Sequence, residues 1–180
     1  MRRVFLIGYM GSGKTTLGRA FAKATGLSFI DLDWYIEERA HRTVSQLFTE
    51  EGEDGFRRIE RRMLHEVSEF EDVVIACGGG TPCFYDNMDY MMETGITVYL
   101  DASQDILFRR LKVASANRPL LKEKTDTELR EFIAEGVESR MKWYSKATLR
   151  MDACRLESRH QIAESVELLK ALLERCEKLN

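Results

Sequence analysis

Short apolar runs recur along the chain, each followed by a longer stretch in which apolar residues return at helical spacing. Val4–Ile7, Leu27–Leu32, Val73–Ala76, Ile96–Leu100 and a weaker Leu149–Met151 read as strands. Between them, Lys14–Ala24, a longer pair covering Val44–Phe70, Asn87–Glu93, Ser103–Lys112, Asp126–Lys146 and Gln161–Lys178 read as amphipathic helices. Strands that alternate with helices predict an α/β fold, with a parallel sheet covered on both faces and right-handed crossovers. In such sheets ligands sit beyond the carboxyl ends of the strands. Polar and glycine-rich residues cluster at those ends. Gly8–Thr15 follows the first strand, Asp31 and Asp33 end the second, Gly78–Gly80 follow the third and Asp101 the fourth. Val113–Thr125 breaks the helical pattern and carries Asn117, Arg118, Pro119, Lys122 and Lys124. A polar loop of that length in a compact domain is functional or mobile in most cases.

Length and composition narrow the classes. A chain of 180 residues with no internal repeat and no linker reads as a single domain spanning residues 1–180. Hydrophobic residues at 44% and charged residues at 32% give an ordinary globular balance, so global disorder is excluded. The net charge of −3 lacks the positive field that sequence-independent nucleic-acid binding needs, so no nucleic-acid partner is expected. A pocket for a small anion remains open, because local cations can build one inside an acidic protein. No apolar run reaches the roughly 18 residues of a membrane span, and the short run after Arg2 and Arg3 reads as a strand, not a signal peptide. Four cysteines without a C-x-x-C pair are too sparse for a disulfide scaffold and fit a reduced, cytoplasmic protein. Nothing demands a dimer, so a monomer is expected. His41, His65 and His160 show no metal-ligand spacing and read as surface or helix residues.

Gly8-Tyr9-Met10-Gly11-Ser12-Gly13-Lys14-Thr15 matches G-x-x-x-x-G-K-[ST] without a gap, with a strand before it and a helix after. Glycines let backbone N–H groups turn inward around phosphate oxygens, and the helix N-terminus faces the anion. Lys14 reaches the β- and γ-phosphates as a point charge, and the Thr15 hydroxyl can coordinate Mg²⁺. The loop alone does not separate kinase, ATPase and switch. No N-K-x-D motif for reading guanine occurs, and large mechanochemical ATPases need more chain. Small-molecule kinases fit the length.

Four local signatures then agree in order: Gly8–Thr16; Asp31-Leu32-Asp33; Gly55-Phe56-Arg57-Arg58-Ile59-Glu60; and Ala76-Cys77-Gly78-Gly79-Gly80-Thr81. Arg118-Pro119-Leu120-Leu121 and Arg140 with Tyr144 follow. Over nearly the whole chain this set resembles shikimate kinase, a small kinase of the nucleoside-monophosphate-kinase-like P-loop group. The resemblance implies a three-layer P-loop kinase fold with strand order 2-3-1-4-5 and a mobile lid over about 113–125. It also implies a substrate-binding helical region over about 33–62. The implied reaction is ATP-dependent phosphorylation of the 3-hydroxyl of shikimate, on the route to chorismate and aromatic amino acids, with ATP and Mg²⁺.

The resemblance also implies roles for residues. Gly11, Ser12, Gly13, Lys14, Thr15 and Thr16 hold the nucleotide phosphates. Thr15, and Asp31 through water, attend the metal. Arg57 and Arg140 hold the shikimate carboxylate, and guanidinium forks suit that task. Phe48 and Phe56 wall the ring. Gly78, Gly79 and Gly80 form a tight passage between the two ligands. Asp33 receives the acceptor hydroxyl as base or orienting group. Arg118 arrives with the lid to stabilise charge on the transferring phosphoryl group, so Lys14, Asp33 and Arg118 are the catalytic set. Arg110 lies near adenine, and Arg155 is the nearest candidate in the late loop. Glu60, at i+3 from Arg57, orients it as a buried pair. The family usually shows Thr or Ser where this chain has Cys77, and a thiol is a weak donor.

Two readings compete at Asp31 and Asp33. Spacing i, i+2 in an extended strand end puts both carboxylates on one side. Alternatively, Asp33 caps a helix starting at Trp34. For function, the nearest rival is another small-molecule P-loop kinase, such as gluconate or nucleotide kinase. A switch module without phosphotransfer is the rival from another class.

Overall fold

The computed structural model describes residues 3–114 and 124–178. Its strands are β1 (Arg3–Ile7), β2 (Ser28–Asp31), β3 (Val73–Ala76), β4 (Ile96–Asp101) and β5 (Leu149–Asp152). The helices are α1 (Lys14–Thr25), α2 (Leu32–Ala40), α3 (Val44–Val67), α4 (Asn87–Thr94), α5 (Gln104–Ala114), α6 (Asp126–Tyr144) and α7 (Arg159–Glu177). A short 3₁₀ turn covers Thr81–Cys83.

The five strands run parallel in the order β2-β3-β1-β4-β5, as expected. β1 and β3 sit inside the sheet and are covered on both sides. Val4–Ile7 and Val73–Ile75 are completely buried, so their runs read as continuously apolar instead of alternating. β2 and β5 are the edges, and their exposed positions carry Ser28, Arg150 and Asp152. Helices pack in pairs over this sheet: α1 on α7, α2 on α3 and α5 on α6.

Several boundaries differ from the sequence expectation for identifiable reasons. Leu27 is not in β2. Gly26 ends α1 in the left-handed region (φ 73°), and the Leu27 N–H donates to the Ala22 carbonyl at 3.1 Å. That bond closes the helix end in the Schellman manner. Leu32 is not in β2 either, because Asp31 already caps α2 by accepting from the Trp34 N–H at 3.5 Å. The expectation that Asp33 caps a helix beginning at Trp34 is therefore corrected: the helix begins at Leu32 and its cap is Asp31. α3 is a single run with a break at Gly52 (φ 68°, ψ 179°), which accounts for the pair of helices read from the sequence. α5 continues through Val113 and Ala114, which the sequence reading placed in the non-helical segment. Thr125 caps α6 through a capping box with Glu128. Residues 115–123, which hold most of that segment, lie outside the described residues. Met88 and Met91 of α4 are buried in the core.

Candidate active site

β1 delivers its last buried residue, Ile7, into the Gly8–Gly13 turn, and Gly13 caps α1 in the left-handed region at φ 98°. That backbone conformation requires glycine, and a Cβ there would also press on the end of the Leu156 side chain. The turn is a cradle. Lys14 Nζ donates to the Gly8 carbonyl at 2.7 Å and the Tyr9 carbonyl at 2.9 Å, which holds the ammonium at its mouth. The Ser12 hydroxyl is buried without a hydrogen-bond partner. An unpaired buried hydroxyl costs on the order of 1–3 kcal/mol, and an anion seated in the turn would satisfy it.

A cavity of about 460 Å³ opens over this cradle. Its walls include Gly11, Gly13, Lys14, Thr15, Thr16, Asp31, Asp33 and Arg110. The Thr15 hydroxyl donates to Asp31 Oδ2 at 2.7 Å. Two hard oxygen groups thus face the cavity beside the phosphate cradle, a donor set that suits Mg²⁺ with most of its shell left to water and phosphate. Arg110 donates to the Gly11 and Ser12 carbonyls (3.2 and 3.3 Å) and the Ala153 carbonyl (3.0 Å), and it pairs with Glu157 at 2.8 Å. It ties the cradle to the late loop.

A second cavity, about 180 Å³, adjoins the first. The two share Met10, Asp33, Gly78 and Gly79. The second is walled by Tyr9, Phe48, Phe56, Arg57, Glu60, Gly80 and Arg140. Phe48 and Phe56 stack with centroids 4.3 Å apart. Arg57 is pinned from several sides. Its Nη1 donates to Glu60 Oε2 at 2.8 Å, and its guanidinium lies 4.0 Å from the Phe84 ring centroid. A Cβ on Gly80 would lie 2.7 Å from Arg57 Nη2, so glycine there makes room for the guanidinium. Its Nε is buried with no partner and can donate to an incoming carboxylate. Glu60, 1% exposed, also accepts from the Thr81 hydroxyl at 2.6 Å. This is the buried Arg57–Glu60 pair that the family resemblance implies. Arg140 lies 5.2 Å from the Tyr9 ring centroid and donates to the Gly136 carbonyl at 2.6 Å.

Asp33 sits where the cavities meet. It is open to the cleft, yet protein surrounds its carboxyl on most sides. Desolvation, then the charges of Glu60 and Asp31, push its pKa up to about 6, while Lys14 opposes the shift. Asp31 and Asp33 do face one cavity, but not as two residues of an extended strand. Asp31 ends β2, and Asp33 lies in the first turn of α2.

Two expected nucleotide-side residues stand differently. Arg155 is not brought to the cleft: its guanidinium pairs with Glu164 of α7 at 3.2 Å, and Leu156 and Glu157 form the wall there. Arg118 lies outside the described residues. Cys77 lines the first cavity, and its thiol contacts Met91 Sδ at 3.6 Å. Burial pushes that thiol well above its ordinary range, so it is neutral. Sequence reasoning missed Tyr9 and Met10, which occupy the free positions of the motif and gave no signal of their own. It also missed the use of Tyr144, whose hydroxyl donates to the Gly79 carbonyl at 2.6 Å.

Fold and site together define a P-loop phosphotransferase with a separate cavity for a small anionic acceptor. The sequence profile of the family described as shikimate kinase matches residues 10–170. The shikimate kinase of Phocaeicola vulgatus is 60% identical over 173 residues, covering 96% of this chain and 99% of that one. The crystal structure of shikimate kinase from Bacteroides thetaiotaomicron superposes with a TM-score of 0.91 at 56% identity, covering 96% of this chain and 98% of that one. The shikimate kinase from Acinetobacter baumannii, solved in complex with shikimate, gives a TM-score of 0.84 at 28% identity over 97% of this chain and 94% of its own. The chain belongs to the shikimate kinase family, whose phosphoryl donor is ATP. Among the described residues no helix is long and apolar enough to cross a membrane.

Proposed function

We propose that this protein transfers the γ-phosphoryl group of ATP to the 3-hydroxyl of shikimate. The observation that carries the reading is the junction of the two cavities: Asp33 and Gly79 belong to both, so an acceptor in one meets a phosphate tail in the other. The acceptor cavity matches a small hydroxylated ring acid. Arg57 Nε and Arg140 receive the carboxylate, Phe48 and Phe56 flank the ring, and Asp33 accepts a hydrogen bond from the reacting hydroxyl.

In the reaction the acceptor oxygen bonds to the γ-phosphorus and the bond from that phosphorus to the β–γ bridging oxygen breaks, releasing ADP. The hydroxyl proton leaves to Asp33 or, past it, to water. The transition state is loose, so holding donor and acceptor in line contributes more than full deprotonation beforehand. Lys14 stabilises charge on the β- and γ-oxygens, and Arg118 joins it by analogy with the family. Thr15 and Asp31 would hold Mg²⁺, which when bound offsets phosphate charge. Gly11, Ser12, Gly13 and Thr16 complete the cradle, and Arg110 closes it on the adenine side. The four free thiols fit a reducing cytoplasm. A solution mass near 20.8 kDa would show a monomer.

A coupled assay of ADP release across shikimate, gluconate and nucleoside monophosphates tests the reading. Turnover with shikimate at least a hundredfold above the others is expected. Comparable turnover with gluconate would move the assignment to the rival kinase, and ADP release from no acceptor would leave a nucleotide switch.

A further inference from the structure

α3 carries a second set of charges that the reaction does not use. Arg57 and Glu60 turn into the acceptor cavity. Arg58, Arg61, Arg62 and His65 form a separate stripe at i, i+3, i+4 and i+7 spacing. With Tyr85 they line a hollow of about 470 Å³, within the range of small-ligand sites. Like charges one turn apart oppose each other, and among the described residues neither Arg58 nor Arg62 has an ion-pair partner. Arg61 is forked onto Asp86 at 2.8 and 2.9 Å and lies 5.6 Å from the Tyr85 ring centroid.

Two further features mark the place. His65 stacks on Tyr90 with centroids 3.8 Å apart, and its Nε2 is buried with no hydrogen-bond partner. Tyr85 holds φ 53°, a left-handed conformation that a bulky side chain rarely adopts, and the residue is 54% exposed. Strain of this kind gathers at binding sites. We propose that this hollow, on the other side of α3 from the acceptor cavity, is a second anion site for a small phosphomonoester. Guanidinium forks bind phosphate oxygens bidentately. The hollow is larger than a bare phosphate ion requires, and Tyr85 offers an amphipathic wall for the organic part.

The site is linked to the acceptor cavity through one segment. Thr81 is held by Glu60, the Asn87 side chain donates to the Thr81 carbonyl at 2.9 Å, and Arg61 grips Asp86 between them. A ligand that draws Arg61 off Asp86 loosens that segment beside Arg57, so the KM for the acceptor rises.

The test is a titration of glucose 6-phosphate, as a generic phosphomonoester, into the protein saturated with ADP and shikimate, followed by ¹H–¹⁵N NMR. Saturable shifts at Arg58, Arg62, His65 and Tyr85 are expected, with affinity at least tenfold weaker in the Arg58→Gln/Arg62→Gln variant. That variant should keep its kcat. Shifts confined to residues 8–16, or equal affinity in the variant, would overturn the site. A parallel titration with inorganic phosphate should bind more weakly, and equal binding would overturn the phosphomonoester assignment. Saturating probe should raise the acceptor KM at least twofold in the parent and not in the variant. An unchanged KM would overturn the link between the two cavities.

Discussion

The phosphate cradle and the acceptor cavity meet at Gly78–Gly79 and are built from different material. The cradle is backbone: a turn of consecutive residues, a helix N-terminus and one lysine. It forms when β1 and α1 form, with Arg110 as a clasp from α5. The acceptor cavity is side chain. It draws Asp33 from α2, Phe48, Phe56, Arg57 and Glu60 from α3, and Arg140 from α6. Its charges are partly desolvated, so each depends on the others. A backbone site tolerates change around it and fails when its own glycines or lysine change. A side-chain site couples binding, pKa and stability, because removing one partner strands another.

The largest effect should separate chemistry from both sites. Asp33→Asn keeps the shape of the junction and removes its acceptor charge, so kcat should fall roughly 10²–10⁴-fold with little change in either Kd. In the parent enzyme, kcat/KM should drop about tenfold per pH unit below about 6, where Asp33 takes up its proton. Stability runs the other way. A carboxyl whose folded pKa is raised destabilises the fold as pH climbs from about 4, its ordinary unfolded value, through 6. Asp33→Asn should therefore melt above the parent at pH 7, with the gap closing near pH 4. A parent pH profile that is flat down to pH 5 would remove the role.

Next in size, Lys14→Met should lower turnover by roughly 10²–10³ and cost about 1 kcal/mol of stability, since the hydrogen bonds to the Gly8 and Tyr9 carbonyls go with the cradle charge. Arg57→Ala should raise the KM for shikimate by roughly 30-fold or more and leave the KM for ATP within about twofold. It should also lower stability, by about 3–5 kcal/mol in chemical denaturation, because Glu60 is left buried without its cation. Equal effects on both KM values would blur the distinction between the two regions. Smallest is Tyr144→Phe, which removes the donor to the Gly79 carbonyl. A loss of about 1 kcal/mol in shikimate binding, some fivefold in KM, is expected at unchanged ATP affinity.

The same contrast explains what could be read before the structure. The cradle's residues are contiguous and each has one physical reason to be there, so Gly8–Thr15 was legible from the motif, and Thr16 was added by resemblance. The buried strands were legible as apolar runs, and the parallel sheet followed from their alternation with helices. The strand order 2-3-1-4-5 came from resemblance, because nothing local encodes which strand neighbours which. The acceptor residues also needed resemblance: Arg57, Gly79 and Arg140 are far apart in sequence and meet only through packing. α2 was blurred because Leu32 extends the apolar run of β2, whereas a single side-chain cap by Asp31 starts the helix. Arg155 misled because charge alone does not tell which way a side chain leaves a loop. Leu156 and Glu157, its neighbours, face the cleft while it turns to Glu164. The Tyr144 hydroxyl donates to a backbone oxygen, which sequence spacing does not reveal.

If two anion receptors stand side by side, each can be disabled without the other. Calorimetric Kd values for ATP and for shikimate, measured separately on Lys14→Met and Arg57→Ala, test it most directly. Lys14→Met should lose affinity for ATP alone and Arg57→Ala for shikimate alone, each by tenfold or more. Both variants losing both ligands in equal measure would contradict it.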